Sequence, residues 1–312
     1  MITKPNEISK ESLKLEMQRV CKELSVDKIE EALYFPKFFQ IETVRLCNAR
    51  CPFCPRSKAD LSVPVMQDWI FDKVADEISQ YADWVKFVSL QRIGEPLFDK
   101  KIAQRIKRLK DAKIKVTSIS TNASLLDEKA GRALLEAGID DIMLSIDSVQ
   151  RETYVNLRVG LNYDTVIKNI KTFFKLRDEI RPQTIIRVRG VSFFDLDNDQ
   201  HKQELDHWEK FWTPLQKSHD RIYMKRAHNW GNQFNWDDKI PNYDLVYHPC
   251  VLPWSTMHVT TSGIVPLCPM DYDGKEKMGD VTKDSLVKIW RDAKWMNIRT
   301  LHQTGKRNEI SF

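Results

Sequence analysis

The sequence predicts an α/β protein, a parallel sheet with helices packed outside it, and three observations carry that expectation. From residue 37 onward, strand-like and helix-like segments alternate, the order that builds a parallel sheet covered by helices. No Gly-x-Gly-x-x-Gly follows any of the strands. A dinucleotide fold therefore has no support, and the count of units suits a doubly wound sheet or an incomplete barrel. Finally, the first strand runs straight into Cys47-Asn48-Ala49-Arg50-Cys51-Pro52-Phe53-Cys54, which sets three thiols on one short loop.

Taken in order, residues 1–36 read as a short helical segment. Ser9-Lys10-Glu11-Ser12 offers a capping start, with Leu13, Met17, Val20 and Leu24 at helical spacing behind it. A second helix is expected over Val26–Tyr34, stopped by Pro36. Residues 37–230 carry the alternation. Strands are expected at Gln40–Leu46, Val85–Leu90, Lys115–Ser120, Asp141–Ile146, Thr184–Val191 and Arg221–Lys225. Helices fall near Asp68–Tyr81, Asp99–Asp111, Asp127–Ala137, Tyr163–Asp178 and Gln200–Trp212. Residues 231–312 form a smaller C-terminal unit. Its segment 232–249 is rich in Asn, Asp, Pro and aromatics without helical period and reads as a connection.

Bulk properties exclude several functions. The 312 residues suffice for one large domain and a smaller one, and 42% hydrophobic with 30% charged residues describes an ordinary globular protein. The net charge of +5 is spread along the chain, without the dense basic stripe of a nucleic-acid binder. Lys100-Lys101 and the basic run Arg105–Arg108 read as a solvated helix face. No apolar run approaches the ~18 residues of a membrane span, and the N-terminus has no signal-peptide core. The expectation is a cytoplasmic protein with no membrane partner. The six cysteines group as three, then two, with Cys21 alone. That grouping fits metal ligation in a reducing compartment better than a disulfide framework. Cys21 sits among Met17, Val20 and Leu24 and reads as a buried helical thiol.

Thiolates are soft ligands that suit iron–sulfur clusters, zinc and copper(I). Structural zinc wants a fourth protein ligand, and no His or Cys lies close in sequence to supply it. Three ligands on a four-iron cluster instead leave one iron open to a substrate or cofactor. CxxxCxΦC after a first strand, with Phe53 as the aromatic Φ, resembles the signature of the radical S-adenosylmethionine (radical SAM) superfamily. The resemblance implies a partial (β/α)6 TIM barrel and a 4Fe-4S cluster held by Cys47, Cys51 and Cys54. It also implies that SAM is cleaved to a 5′-deoxyadenosyl radical. Functional groups should then lie at the C-terminal ends of the strands.

The strand ends extend the resemblance. Strand two ends in Gly94-Glu95-Pro96, similar to the family's GEP motif that receives the SAM ammonium, with Ile93 where the family usually carries another Gly. Strand three ends in Thr121-Asn122-Ala123, similar to the TNG/TNA turn. Strand four ends in Ser145-Ile146-Asp147, similar to the segment that contacts the ribose. Arg158 matches the arginine that pairs with the SAM carboxylate, for which a guanidinium has the right planar fork. Arg187 and Arg189 alternate on strand five and so share one face; Arg187 is taken as a further polar ligand. Beyond strand six, His228, Asn229 and Trp230 are candidate substrate contacts, the alternative being a linker with a buried Trp.

Cys250, Gly263 and Cys268 resemble the opening half of the SPASM/twitch extension, which binds an auxiliary iron–sulfur cluster. Thr261-Ser262-Gly263 fits the hairpin turn between the two thiols, and Met278-Gly279-Asp280-Val281 with a helix near Leu286–Trp290 resembles that extension too. The family's further CxxC does not follow Cys268. Three explanations stay open: a chain that stops before those cysteines, a site completed by His248, His258, Asp271 or His302, or no auxiliary cluster. In the last case Cys250 is a candidate hydrogen donor to a substrate radical. The resemblance implies hydrogen abstraction from a small polar metabolite of sugar or aminocyclitol type, ending in oxidation or epimerisation. It also implies an external electron donor of flavodoxin or ferredoxin type. Maturation of a ribosomal peptide or protein side chain is the runner-up, and a structural iron–sulfur binding module the non-enzyme alternative.

Overall fold

The structure, a computed structural model, describes residues 9–194, 198–231, 233 and 248–310. It begins with α1, Lys10–Leu24. The Ser9 hydroxyl accepts from the Ser12 amide at 3.1 Å and Ser25 closes the helix in the left-handed region, so both ends have partners for backbone groups left open. The helix expected over Val26–Tyr34 is a 3₁₀ stretch, Ile29–Leu33; so short a segment before Pro36 cannot propagate α-helical bonding.

Strand β1 spans Phe38–Ile41, shorter than expected. Past Ile41 the chain leaves the sheet for residues 63–66. The Arg45 amide donates to the Pro64 carbonyl at 2.8 Å and the Met66 amide to the Thr43 carbonyl at 2.9 Å. This detour carries the cysteine loop over the C-terminal end of the sheet. There follow α2 (Asp68–Ser79), β2 (Phe87–Ser89), α3 (Ile102–Asp111), β3 (Val116–Thr121), α4 (Glu128–Glu136) and β4 (Asp141–Ser145). Next come α5 (Arg151–Leu157), α6 (Tyr163–Ile180), β5 (Ile185–Ser192), α7 (Asp199–Trp212) and β6 (Arg221–Arg226). The short α5 has no counterpart among the expected helices, and its last turn presents Arg158.

The tail contributes α8 (Leu252–Ser255) and then β7 (Thr256–Val259), which runs parallel to β1 with Phe38 opposite Thr256. The sheet is therefore seven-stranded and parallel throughout, in the order β6-β5-β4-β3-β2-β1-β7, where six strands were expected. It is a partial TIM barrel. β8 (Ile264–Pro266) and β9 (Lys277–Asp280) form a separate antiparallel pair, followed by α9 (Leu286–Trp290) and α10 (Ala293–Gln303). Gly263 sits in the turn between β7 and β8 at φ +86°, where a Cβ would stand 2.7 Å from the Thr282 methyl. Segment 232–249, expected as a connection, lies largely outside the described residues.

Ile41, Val88, Ile119, Ile142, Ile186 and Val188 are fully buried against helical Val74, Ile78, Ile106, Leu134 and Ile170. Each such side chain contributes roughly 1.5–3 kcal/mol. On β5 the alternation is clean: Ile186 and Val188 are buried while Arg187, Arg189 and Val191 share the opposite, inner face. The barrel interior is thus polar where the sheet carries chemistry. Behind β5 and β6, Arg177 of α6 holds Asp220 bidentately at 2.8 and 2.9 Å, and Asp220 also accepts from the Ile186 and Lys217 amides at 2.8 Å. The tail locks onto the N-terminal segment, with the Trp290 indole donating to the Ala32 carbonyl at 3.0 Å.

Candidate functional site

The C-terminal ends of the strands open into one cavity of about 620 Å³. Cys47, Cys51 and Cys54 line it, with Phe53, Gly94, Glu95, Thr121, Asn122, Ser145, Arg158, His228 and Trp230. Most of the expected site residues therefore converge, from six different segments of the chain.

The cysteine loop is held by its own backbone and by its neighbours. The Ala49 amide donates to Cys47 Sγ at 3.4 Å, the Arg50 amide to the Val159 carbonyl at 2.8 Å, and the Cys54 amide to the Cys51 carbonyl at 3.1 Å. Asn122 Nδ2 donates to Asn48 Oδ1 at 3.1 Å and reaches Cys47 Sγ at 3.8 Å. Gly94 is required by close approach: a Cβ there would lie 2.1 Å from the Val44 carbonyl oxygen. Burial pushes the Cys54 thiol up to about 11 and raises Cys47 and Cys51, so ligation must expel protons. Among the described residues no three His, Cys, Asp or Glu side chains converge tightly enough for a single ion. A cubane is larger than an ion and spreads its ligands, so three free thiols on one cavity wall, with N–H donors already aimed at two sulfurs, fit a four-iron cluster.

Glu95 is fully buried and interlocks the strand ends. It accepts from Thr121 Oγ1 at 2.6 Å, the Asn122 amide at 2.7 Å and the Leu97 amide at 3.2 Å. Burial still pushes its carboxyl up to about 7, against the pull of those donors. Pro96 lies outside the lining, in the 3₁₀ turn Pro96–Phe98 that Glu95 caps.

Arg158 stacks over Phe53, 5.4 Å from the ring centroid, and turns one edge of its guanidinium to Asp147 at 2.5 and 3.0 Å. Its Nη1 faces Cys51 Sγ at 3.8 Å, leaving that edge toward the cavity. Asp147 also accepts from the Val191 amide at 3.1 Å. It sits behind Arg158, outside the lining of the main cavity, rather than at its surface as a ribose contact would. Arg187 is likewise absent from the lining. Asp141 holds it one layer deeper, with Nε at 3.0 Å. The β5 guanidinium that reaches the cavity is Arg189, whose Nε is buried without a hydrogen-bond partner among the described residues. Alternation placed both arginines on one face; their depth along the barrel axis separates them, and single-strand periodicity carries no depth.

At the β6 end, the Trp230 indole donates to the Phe53 carbonyl at 3.2 Å and its ring packs against His228 at 4.8 Å. Trp230 thereby ties the barrel's last strand to the cysteine loop. Asn229 is buried and outside the lining. Sequence reasoning missed Arg92, whose guanidinium donates to the Tyr272 carbonyl at 2.9 Å and also to Asp271. It pins the tail against the strand-two end. Its sequence signal was slight, an arginine between Gln91 and Ile93 in the loop that also carries Glu95.

Burial pushes the Cys268 thiol up to about 11, with a smaller contribution from the nearby Cys250. Neither lines the cavity. The Cys250 amide donates to His302 Nδ1 at 3.3 Å. Of the other candidate ligands, His258 is engaged with Gln40 at 3.0 Å, Asp271 accepts from the Lys275 and Glu276 amides, and His248 lies beside Glu16. Among the described residues, no group of three His, Cys, Asp or Glu side chains around these two thiols is close enough for a single metal ion.

Residues 41–192 match the radical SAM superfamily model and residues 250–310 the SPASM iron–sulfur cluster-binding domain. The chain is 28% identical over 154 residues to GTP 3′,8-cyclase of Limosilactobacillus fermentum, covering 49% of this chain and 46% of that one. It spans about half the length of the curated relatives it matches. BtrN in complex with AdoMet and 2-DOIA superposes with a TM-score of 0.59 at 18% identity, covering 88% of this chain and 90% of BtrN. SuiB of Streptococcus suis bound to precursor peptide SuiA superposes with a TM-score of 0.68 at 16% identity, covering 97% and 78%. At those identities the structural likeness speaks for the fold. The cofactors that accompany the matched families are a 4Fe-4S cluster and SAM, with an auxiliary iron–sulfur cluster implied by the SPASM domain. The chain belongs to the radical SAM superfamily and carries a C-terminal SPASM domain.

Proposed function

We propose that this protein is a radical SAM oxidoreductase or epimerase acting on a small polar metabolite. The observation that carries the reading is the convergence of three thiols, Glu95, Asn122 and Arg158 on one cavity. Its volume of about 620 Å³ lies within the range of about 300–1,000 Å³ that small-molecule sites occupy. When bound, a 4Fe-4S cluster and SAM supply a 5′-deoxyadenosyl radical by reductive cleavage. The chain's own residues do the rest. Cys47, Cys51 and Cys54 hold the metal, and Arg158, oriented by Asp147, offers its free edge to a carboxylate. Phe53, Met143 and Val191 give the cavity apolar walls that limit water, and Trp230 fences its mouth.

The likeness to BtrN, whose structure holds AdoMet and 2-DOIA, supports a sugar- or cyclitol-sized substrate. The likeness to SuiB bound to its precursor peptide supports the second reading, maturation of a peptide side chain. Both need an external one-electron donor of flavodoxin or ferredoxin type. No helix of the described residues is long and apolar enough to cross a membrane. The test compares anaerobically reconstituted wild type with the Cys47/Cys51/Cys54 triple alanine variant, counting iron and measuring 5′-deoxyadenosine. Formation in the wild type and none in the variant is expected. Equal formation in both would overturn the assignment.

A further inference from the structure

We propose that Arg189 on β5 and Lys225 on β6 form a binding site for an oxyanion, carboxylate or phosphate, carried by the substrate. The inference rests on the reading of the cavity as a radical SAM active site and names the substrate class that site selects.

Among the described residues, seven arginine and lysine side chains line the cavity against a single carboxylate, Glu95, which already accepts three hydrogen bonds. The cofactor pair does not correct the imbalance. A four-iron cluster with three thiolates is net anionic and SAM is net cationic, so together they leave the excess in place. Several of the seven have protein partners. Arg158 is held by Asp147, Arg92 by the Tyr272 and Asp271 carbonyls, and Arg56 reaches the Ala49 carbonyl at 3.5 Å.

Arg189 and Lys225 differ. Arg189 Nε is buried with no acceptor among the described residues, and Lys225 has no carboxylate among them. Burial lowers the proton affinity of both groups, and the charges of Arg189 and Arg187 lower that of Lys225 further. His228 feels the same pair and is lowered too. Asp141 is hydrogen-bonded to Arg187 and Asp147 to Arg158. A desolvated guanidinium beside an ammonium is costly unless an anion completes it, and the open space between them is the cavity itself. A guanidinium fork with an adjacent point charge is the donor set that carboxylate and phosphate groups accept. An amine-bearing cyclitol would meet like charge here, so the site favours an acidic sugar or a phosphorylated metabolite.

The test titrates cluster-loaded protein, saturated with SAM, with inorganic phosphate and separately with acetate by calorimetry. Saturable binding of at least one is expected, and the preferred one identifies the oxyanion. Arg189→Gln and Lys225→Gln should each weaken that binding at least tenfold, Arg189→Lys less, with SAM affinity changed less than twofold. The proposal fails if neither oxyanion binds, if both glutamine variants bind as wild type does, or if SAM affinity falls tenfold in Arg189→Gln, which would assign that guanidinium to the cofactor. The Arg189→Lys variant controls for folding. Measuring 5′-deoxyadenosine in the same samples separates the two readings: oxyanion binding without SAM cleavage would sink the enzymatic reading and leave the anion site standing.

Discussion

The wall of the cavity built from the β1, β2 and β3 ends differs in kind from the wall built by β5 and β6. On the first, nearly every polar group is already spent on a neighbour: Glu95 on Thr121, Asn122 and Leu97, and Asn122 on Asn48. The cysteine loop is closed by its own amides. On the second, Arg189 and Lys225 reach the same space without a carboxylate partner among the described residues: Arg189 Nε is buried with no acceptor, and the Lys225 ammonium has only the Tyr223 ring, 5.9 Å away. A preorganised, internally satisfied wall suits a cofactor that is present in every turnover, because little reorganisation is then needed when it binds. An unsatisfied wall suits a ligand that comes and goes, since the ligand restores the missing partners.

The largest break in this contrast would come from behind the cationic wall. Asp220 holds Arg177 and the Ile186 amide and so pins β6 to β5. Burial acts to raise its carboxyl, but Arg177 and the Lys217 and Ile186 amides more than offset that and hold it below the usual range. Asp220→Ala strips the buried Arg177 of its bidentate partner, leaving it Asp178 and the Thr184 carbonyl, and leaves the Ile186 and Lys217 amides without their acceptor; it should cost about 3–5 kcal/mol, read by urea denaturation. The depressed carboxyl also fixes a sign. Its contribution is present above the ordinary carboxylate range and is lost as pH falls through the folded value, so wild type and variant should converge in acid. A loss under 1 kcal/mol would mean that β6 and its lysine are held some other way.

The satisfied wall contains one strained point, Glu95. A shift from 4.5 to about 7 corresponds to about 3 kcal/mol. Because the folded value is raised, the folded state binds the extra proton. That stability is present below about 4.5 and is lost as pH rises through about 7. Glu95→Gln removes the titration, so the stability difference between wild type and variant before cluster loading should change by about 3 kcal/mol across that window. A pH-independent difference would mean that the three donors keep the carboxylate ionised throughout.

The two walls were also unequally legible in the sequence. The β1–β4 ends announce themselves because their chemistry is local: CxxxCxxC, Gly94-Glu95-Pro96 and Thr121-Asn122 are short strings whose residues stay together in space. Six strands were likewise readable from alternation. The seventh, Thr256–Val259, was not, since its three consecutive buried residues show no period and only pairing with β1 makes them a strand. The same limit explains Arg189 and Asp147. Strand parity says which face a side chain occupies, whereas depth in the barrel and the partner across it depend on tertiary packing. Arg187 and Arg189 are equivalent by parity and opposite in circumstance, one paired with Asp141 and one facing the cavity. Arg92 joins segments 180 residues apart, a contact no local pattern could signal.

Asp147 gives the smallest effect and the sharpest test of where the two walls meet. It belongs to neither, standing behind Arg158 and receiving the Val191 amide from β5. A guanidinium presents two usable edges, and Asp147 occupies only one. Its role is then to aim the other edge past Cys51 into the cavity. Asp147→Asn keeps the shape but removes the charge that fixes the fork. SAM affinity should fall about tenfold, or about 1.4 kcal/mol, with iron content and phosphate binding at Arg189 unchanged. Should SAM instead bind more tightly to the variant, Asp147 would be a competitor for Arg158 rather than its support. Arg158 would then resemble Arg189, a cation waiting for its anion, and the division between satisfied and unsatisfied walls would run one strand earlier.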